Sequence, residues 1–221
     1  MTRGVVQILA HPFSGSTLLT YLLGEHPQVT AVGELFWRHC YCRSPDDHSL
    51  LNRDTIGPPP DHGKDGTLCV RCKSDCPVWS RITEPIPTPV IYSTLQQAFA
   101  TPWLVDSSKF GWWFRAVSAA NVGQRYIVAQ LHKSVWAWVG SRARYSGHFR
   151  IDGSKVMEWG KISDDEISAW ALAWAAAVHE QDALKCMLGA EWVSIPYEHL
   201  CADFHDVAAG MWGSMGLDAP A

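Results

Sequence analysis

The sequence predicts a single α/β domain in which helices cover both faces of a central parallel sheet. The chain has 221 residues, a length that one hydrophobic core can support. Hydrophobic residues make up 47% of it and charged residues 18%, so there is enough apolar material for a core and too little charge for disorder. Short apolar runs also alternate with helical patterns, which is the order of repeated strand–helix units in a parallel sheet.

The first predicted elements are a strand, a turn and a helix. Residues 4–10 form a short apolar run that predicts a buried strand, and a turn with proline and glycine follows it. A helix is predicted from about Thr17, because four leucines between residues 18 and 23 recur on one face. Residues 24–27, Gly-Glu-His-Pro, end this helix, and residues 29–32 predict the next strand.

The same alternation continues in the second half of the chain. Ser163 is a predicted helix cap with Glu166 three residues later, and a long alanine-rich helix runs from there to about Leu188. The pattern further predicts a helix over 90–100, a strand over 103–105, a loop over 106–109, a strand over 126–131, a strand over 191–195 and a helix over 204–215. We expect the ligand crevice at the carboxyl ends of the strands.

The charge balance limits the partners of the protein. Lys and Arg number 18 and Asp and Glu 22, a formal net charge of -4, so no global positive field draws the chain onto nucleic acid or anionic lipid. No apolar run approaches the roughly 18–20 residues that a membrane span needs. We therefore expect a cytoplasmic protein with no nucleic-acid or membrane partner.

A cysteine-rich, irregular insertion is predicted at about 38–89, where no helical or strand period is sustained. Cys40 and Cys42 form one close pair and Cys69 and Cys72 another, about 27 residues further on, which is a reasonable span for a structural zinc site. Free thiols are the alternative, because Cys-x-Cys is the less usual zinc pair. An oxidised pair is disfavoured in a cytoplasmic setting.

Residues 10–17, Ala-His-Pro-Phe-Ser-Gly-Ser-Thr, follow the first strand and open the first helix. At such a place the unpaired backbone N–H groups and the positive end of the helix dipole favour a phosphate or a sulfonate. Ala10 and Ser16 stand where the loop G-x-x-x-x-G-K-[ST] has its first glycine and its lysine, which disfavours ordinary NTPase chemistry. The alternative is a polar turn that only caps the helix.

Several segments carry a resemblance to one family. They are Phe13-Ser14-Gly15-Ser16-Thr17-Leu18-Leu19 with His26-Pro27 and Gly33-Glu34-Leu35 after it, Val105-Asp106-Ser107-Ser108-Lys109, Tyr126 to Ser134 running on to Ser141, and Ile195 to Cys201. Together they resemble the sulfotransferases that use 3′-phosphoadenosine 5′-phosphosulfate (PAPS). The resemblance implies a three-layer P-loop-type fold, a single domain over 1–221 and sulfuryl transfer from PAPS.

The resemblance also implies which residues bind PAPS. The 5′-phosphosulfate is expected in the loop, on Phe13, Ser14, Gly15, Ser16, Thr17 and Leu18. The 3′-phosphate is expected on Lys133 and Ser141, because the family has a basic residue eight positions before a serine at this place.

Three residues are candidates for the transfer step. Glu34 follows the predicted second strand at the crevice edge and matches a catalytic glutamate in some branches of the family, so it is the candidate general base. Many relatives carry a lysine or arginine where this loop has Phe13, and Lys109 is the substitute for that cation. His11 is a lower-ranked proton donor or acceptor. For each of them the alternative is a structural or solvated side chain.

The expected acceptor is a small, partly hydrophobic molecule with a hydroxyl or an amine. Among the twelve tryptophans, Trp112 and Trp113 are candidates to line its pocket, whereas Trp170 and Trp174 are one helical turn apart and are expected in the core. A second copy of the chain, in a homodimer, could supply a loop that covers the acceptor. The alternatives are a non-catalytic binder of PAPS or adenosine 3′,5′-bisphosphate, a small-molecule kinase with a degenerate loop, and a zinc-stapled interaction protein.

Overall fold

The computed structural model describes residues 3–35, 55–56, 86–145, 151–152, 155–156, 162–187 and 189–220. Their strands are, in chain order, β1 (Gly4–Ala10), β2 (Val29–Gly33), β3 (Thr55–Ile56), β4 (Ile86–Pro87), β5 (Trp103–Lys109), β6 (Arg125–His132), β7 (Ile151–Asp152), β8 (Lys155–Val156) and β9 (Glu191–Pro196). Their helices are α1 (Ser16–Gly24), α2 (Ile91–Phe99), α3 (Gly111–Ala120), α4 (Val135–Tyr145), α5 (Asp164–Met187), α6 (Tyr197–Ala202) and α7 (Phe204–Met215). None of these helices has the length and apolar character that crossing a bilayer requires.

Five strands form one parallel sheet in the order β2-β5-β1-β6-β9. The central strand β1 is buried along its whole length, as expected for a parallel strand covered on both faces. The chain runs from β1 out to β2, returns through β5 and then crosses β1 to reach β6. The direction of winding therefore reverses beside β1, and such a reversal opens a crevice at the carboxyl ends of the strands.

Helices pack on both faces of the sheet because successive side chains of a strand point to opposite sides. Val6 and Ile8 of β1 lie in a core cluster with residues of α1 and α7. Val5 lies in a second cluster with residues of α2 and α3, and Leu9 lies in a third with residues of α3 and α5. The predicted three-layer α/β fold is thereby confirmed.

The prediction of a short strand over 103–105 followed by a loop is wrong. β5 continues to Lys109, although its last four residues are the polar sequence Asp-Ser-Ser-Lys. The Asp106 carboxylate is completely buried and accepts hydrogen bonds from the Ser108 amide at 2.9 Å, the Tyr92 hydroxyl at 2.9 Å and the Trp113 indole at 3.1 Å. A polar segment can remain in a buried strand when its polar groups have such partners.

Candidate functional site

The carboxyl ends of β1, β2, β5 and β6 lie at one edge of the sheet, since these strands are parallel neighbours. The loop with Ser14 and Gly15 follows β1, Glu34 follows β2, Lys109 ends β5 and Lys133 follows β6. The residues predicted for donor binding and for transfer are thus brought to one crevice. This juxtaposition depends on the sheet, because the four segments are far apart in the chain.

The loop after β1 presents the start of α1 to this crevice. Gly15 is the residue before the helix and has the left-handed conformation, with φ of 84°. The Ser14 amide donates to the His11 carbonyl oxygen at 3.2 Å, so the open backbone donors begin at Gly15. The Ser14 side-chain hydroxyl is buried and has no hydrogen-bond partner among the described residues. An anion with several acceptor oxygens would satisfy both kinds of donor.

Two non-glycine residues of the site have positive φ. Phe13 in the loop and Lys109 at the end of β5 both have φ of 67°, and among the described residues only Ala100 is a third case. This backbone conformation is uncommon for residues with a side chain and is found at functional sites more than elsewhere. The strain therefore coincides with the two segments predicted to hold and to act on the donor.

Lys133 and Ser141, the residues predicted to bind the 3′-phosphate, are in direct contact. The Lys133 ammonium donates to the Ser141 hydroxyl oxygen at 2.7 Å, and that hydroxyl donates to the Ala137 carbonyl oxygen at 2.9 Å. Lys133 is mostly buried, and this burial lowers the pKa of its side chain. An anionic group at this position would restore the solvation that the ammonium has lost.

Tyr197 contacts both of the segments that are predicted to bind anions. Its ring packs so closely on Gly15 that a Cβ atom there would lie 2.6 Å from the ring. The Lys133 ammonium lies 4.1 Å from the centroid of the same ring, which is a favourable cation–π distance. The sequence placed Tyr197 in the late Tyr-Glu segment without giving it a role, and only its position in the fold reveals this contact.

Glu34 and Lys109, the predicted base and cation, form an ion pair in which the Lys109 ammonium donates to Glu34 Oε1. Their side chains are 27% and 15% exposed, so the pair faces the crevice without being fully solvated. A partly desolvated pair is stronger than a surface pair. Each residue therefore holds the other in place.

His11 is enclosed by two tryptophans and is only 3% exposed. Its ring stacks on Trp174 at a centroid distance of 6.0 Å and lies 5.6 Å from Trp138. Burial, with a smaller contribution from His132, lowers the pKa of His11 to about 4, so the imidazole is neutral near pH 7. Its Nε2 atom is buried without a partner among the described residues. A neutral ring can accept a proton but does not supply one at this pH.

The same two tryptophans also form hydrogen bonds with backbone segments of the site. The Trp138 indole donates to the Pro12 carbonyl oxygen at 2.8 Å, and the Trp174 indole donates to the Lys133 carbonyl oxygen at 3.0 Å. Trp174 was expected to be a core residue, and it is half-buried against the site. The richness in tryptophan was the only sequence signal for these contacts.

Trp112 and Trp113 are both predicted to line the acceptor pocket, and for Trp113 this prediction is wrong. Trp113 is buried in the core and its indole binds the Asp106 carboxylate, so it cannot line an open pocket. Trp112 is half-buried and stacks near Phe110 at 6.1 Å. Through Trp113 and Tyr92, Asp106 anchors the end of β5 and thereby the position of Lys109.

The predicted zinc ligands Cys40, Cys42, Cys69 and Cys72 lie outside the described residues, as does most of the insertion at 38–89. The zinc site remains a prediction. Within the described ranges, no group of three or more His, Cys, Asp or Glu side chains is arranged to hold a metal ion.

No protein-family model matches the chain, and no curated protein sequence matches it. Its structure is similar to the sulfotransferase domain of the Synechococcus olefin synthase, with a TM-score of 0.65 and 20% identity over 99% of this chain and 75% of that one. For the sulfotransferase domain of the curacin biosynthetic pathway the TM-score is 0.62 and the identity 17%, over 99% and 75% of the two chains. For a Mycobacterium tuberculosis sulfotransferase they are 0.54 and 14%, over 100% and 69%. The chain has the fold of the sulfotransferases.

Proposed function

We propose that the protein is a sulfotransferase that uses PAPS as its sulfuryl donor and a small hydroxyl- or amine-bearing molecule as its acceptor. One observation carries the proposal: two separate groups suited to anions lie on the same Tyr197 ring. Gly15, at the start of α1, packs against this ring, and Lys133, which is hydrogen-bonded to Ser141, places its ammonium over it. A nucleotide with an anionic group at each end of its ribose needs two such sites close together. The likeness of fold to sulfotransferases supports the same conclusion.

The residues of the site fit the donor. The buried Ser14 hydroxyl without a partner and the open amides from Gly15 onward suit the oxygens of the 5′-phosphosulfate, with Ser16, Thr17 and Leu18 at the start of the helix. Lys133 and Ser141 suit the 3′-phosphate. Phe13 adds its carbonyl oxygen, which lies 3.4 Å from the Lys133 ammonium and connects the two sites.

PAPS supplies the sulfuryl group, whose bond to the bridging oxygen of the 5′-phosphate breaks as a bond to the acceptor oxygen or nitrogen forms. The acceptor proton goes to the Glu34 carboxylate, which the ion pair with Lys109 holds in place. The Lys109 ammonium stabilises the negative charge that develops near the transferring group. Neutral His11 is the second candidate base, and burial lowers its pKa to about 4.

The test is transfer of labelled sulfate from PAPS to pools of phenols, alcohols, amines and lipid-like molecules. We expect a labelled product from at least one pool. Lys109→Ala should lower the rate by about 100-fold or more, the size of effect seen when a transition-state charge partner is removed. The same variant should change nucleotide affinity by less than about 3-fold. Lys185→Ala, which removes an exposed lysine of α5, is the matched control and should not change the rate.

A second function, nucleotide binding without catalysis, is favoured by the Glu34–Lys109 ion pair, which engages the predicted base and the predicted cation with each other. Tight nucleotide binding with no product from any acceptor pool would support this second function and contradict the first. A kinase would instead bind ATP with magnesium. Thermal stabilisation by ATP with magnesium but not by adenosine 3′,5′-bisphosphate would contradict both functions, because a bound ligand stabilises the folded state.

A further inference from the structure

Arg142 lies on α4 directly after Ser141 and projects toward the phosphate-binding loop. Its guanidinium carbon is 6.0 Å from the centroid of the Phe13 ring, the distance of a cation–π contact. Phe13 belongs to the loop that is proposed to bind the anion and directly precedes Ser14. Arg142 therefore places a permanent positive charge beside the part of the site that is proposed to bind the 5′-phosphosulfate.

This charge has no counter-ion in the part of the chain that the structure describes. The ion pairs there involve Lys109, Arg125 and His199, and Arg142 makes none. The Arg142 Nε atom is moreover buried with no hydrogen-bond partner among the described residues. A buried guanidinium donor without an acceptor is unfavourable. Binding of an anion would remove that cost, since guanidinium groups form strong charge-assisted hydrogen bonds with phosphate-like oxygens.

The other two cations of the site, Lys109 and Lys133, are already in contact with Glu34 and Ser141. Lys133 and Ser141 lie where the 3′-phosphate is proposed to bind. The loop after β1 itself offers only backbone amides and hydroxyls to the 5′-phosphate of the donor. Arg142 is a cation next to the loop that has neither an anion nor a hydrogen-bond partner for its Nε among the described residues.

We propose that Arg142 binds the 5′-phosphate end of the nucleotide and thereby contributes to selection of the donor. This inference rests on the proposed function, because it takes the loop after β1 as the 5′-phosphosulfate site. The Phe13 ring holds the guanidinium in its orientation, as a flat face does for a planar cation. The loop thus gains from the neighbouring helix a positive charge that its own residues do not have.

The test is isothermal titration with two nucleotides, adenosine 3′,5′-bisphosphate and adenosine 3′-monophosphate. Arg142→Gln should weaken binding of the bisphosphate by about 10- to 100-fold, the effect of losing a charged hydrogen bond. It should change affinity for the 3′-monophosphate by less than about 2-fold, because that ligand has no 5′-phosphate. Arg115→Gln removes an exposed arginine of α3 and should leave both affinities unchanged.

Arg142→Lys keeps the charge without the planar group, so it should bind the bisphosphate about 3- to 10-fold more weakly than the wild-type protein and the 3′-monophosphate equally well. This variant tests the inference even if Arg142→Gln does not fold. An equal loss of affinity for both nucleotides, or no loss for either, would overturn the role of Arg142 and leave the proposed function standing. If the wild-type protein bound neither nucleotide, the proposed function would fail, and with it the role of Arg142.

Discussion

Replacing Gly15 by alanine tests the contact that joins the two anion-binding segments. Two costs add at this position. The left-handed backbone, with φ of 84°, costs an alanine about 1–2 kcal/mol relative to glycine. The new Cβ atom would also lie 2.6 Å from the Tyr197 ring, and overpacking of this kind costs about 1–3 kcal/mol. We therefore expect Gly15→Ala to lower the free energy of unfolding by about 2–5 kcal/mol.

Gly123→Ala is the matched control. Gly123 also has a left-handed backbone, with φ of 89°, but nothing lies within 4 Å of its Cβ position. Only the backbone cost applies there, so we expect a loss of about 1–2 kcal/mol. Urea unfolding followed by circular dichroism measures both values. The difference between the two losses of unfolding free energy measures the cost of the clash between the new Cβ atom and the Tyr197 ring.

The same substitution should also impair ligand binding, because a displaced Tyr197 ring no longer supports the Lys133 ammonium. Affinity of Gly15→Ala for adenosine 3′,5′-bisphosphate should fall by about 10-fold or more, whereas Gly123→Ala should bind as the wild-type protein does. Equal destabilisation by the two substitutions, with unchanged affinity in both, would refute the close packing of Tyr197 on the loop and the coupling derived from it.

Three further predictions concern single residues. The pKa of His11 is about 4 in the folded protein and 6.5 in an unfolded chain, so protonation of His11 favours unfolding. The free energy of unfolding should therefore fall by about 2 kcal/mol as the pH is lowered from 6.5 to 4, and urea titrations at several pH values should show that His11→Phe lacks this pH dependence. Asp106→Asn should cost about 1–3 kcal/mol in thermal unfolding, since an amide nitrogen cannot accept from Tyr92 and Trp113, and a cost below 0.5 kcal/mol would contradict this network. Ser141→Ala should weaken binding of adenosine 3′,5′-bisphosphate about 3- to 10-fold and leave binding of adenosine 5′-monophosphate unchanged by titration calorimetry.

The sequence predicts the elements of the fold well where local pattern and burial agree. β1 is an apolar run interrupted only by Gln7, and the structure has the predicted strand there. The end of β5 is different, because its polar residues 106–109 have no strand pattern of their own. They are held by Tyr92 on one helix and Trp113 on another, and such partners are set by the tertiary structure.

The features of the candidate site likewise divide into those that the sequence predicts and those that depend on the tertiary structure. The start of α1 can be read from sequence because it is a local feature, and the pairing of Lys133 with Ser141 follows from the family resemblance. The Glu34–Lys109 ion pair requires that β2 and β5 be neighbours in the sheet, although the two residues are 75 positions apart. The positions of Trp174 and Arg142 depend on how α5 and α4 pack, so neither could be given its role from sequence alone.

The most direct test of the central claim is a crystal structure of the protein with adenosine 3′,5′-bisphosphate. We expect the 5′-phosphate on the backbone amides that begin at Gly15, and the 3′-phosphate within hydrogen-bond distance of Lys133 and Ser141. Both phosphates should occupy these places in one molecule of ligand. A nucleotide bound at another edge of the sheet, or bound here with its two phosphates exchanged, would contradict the account.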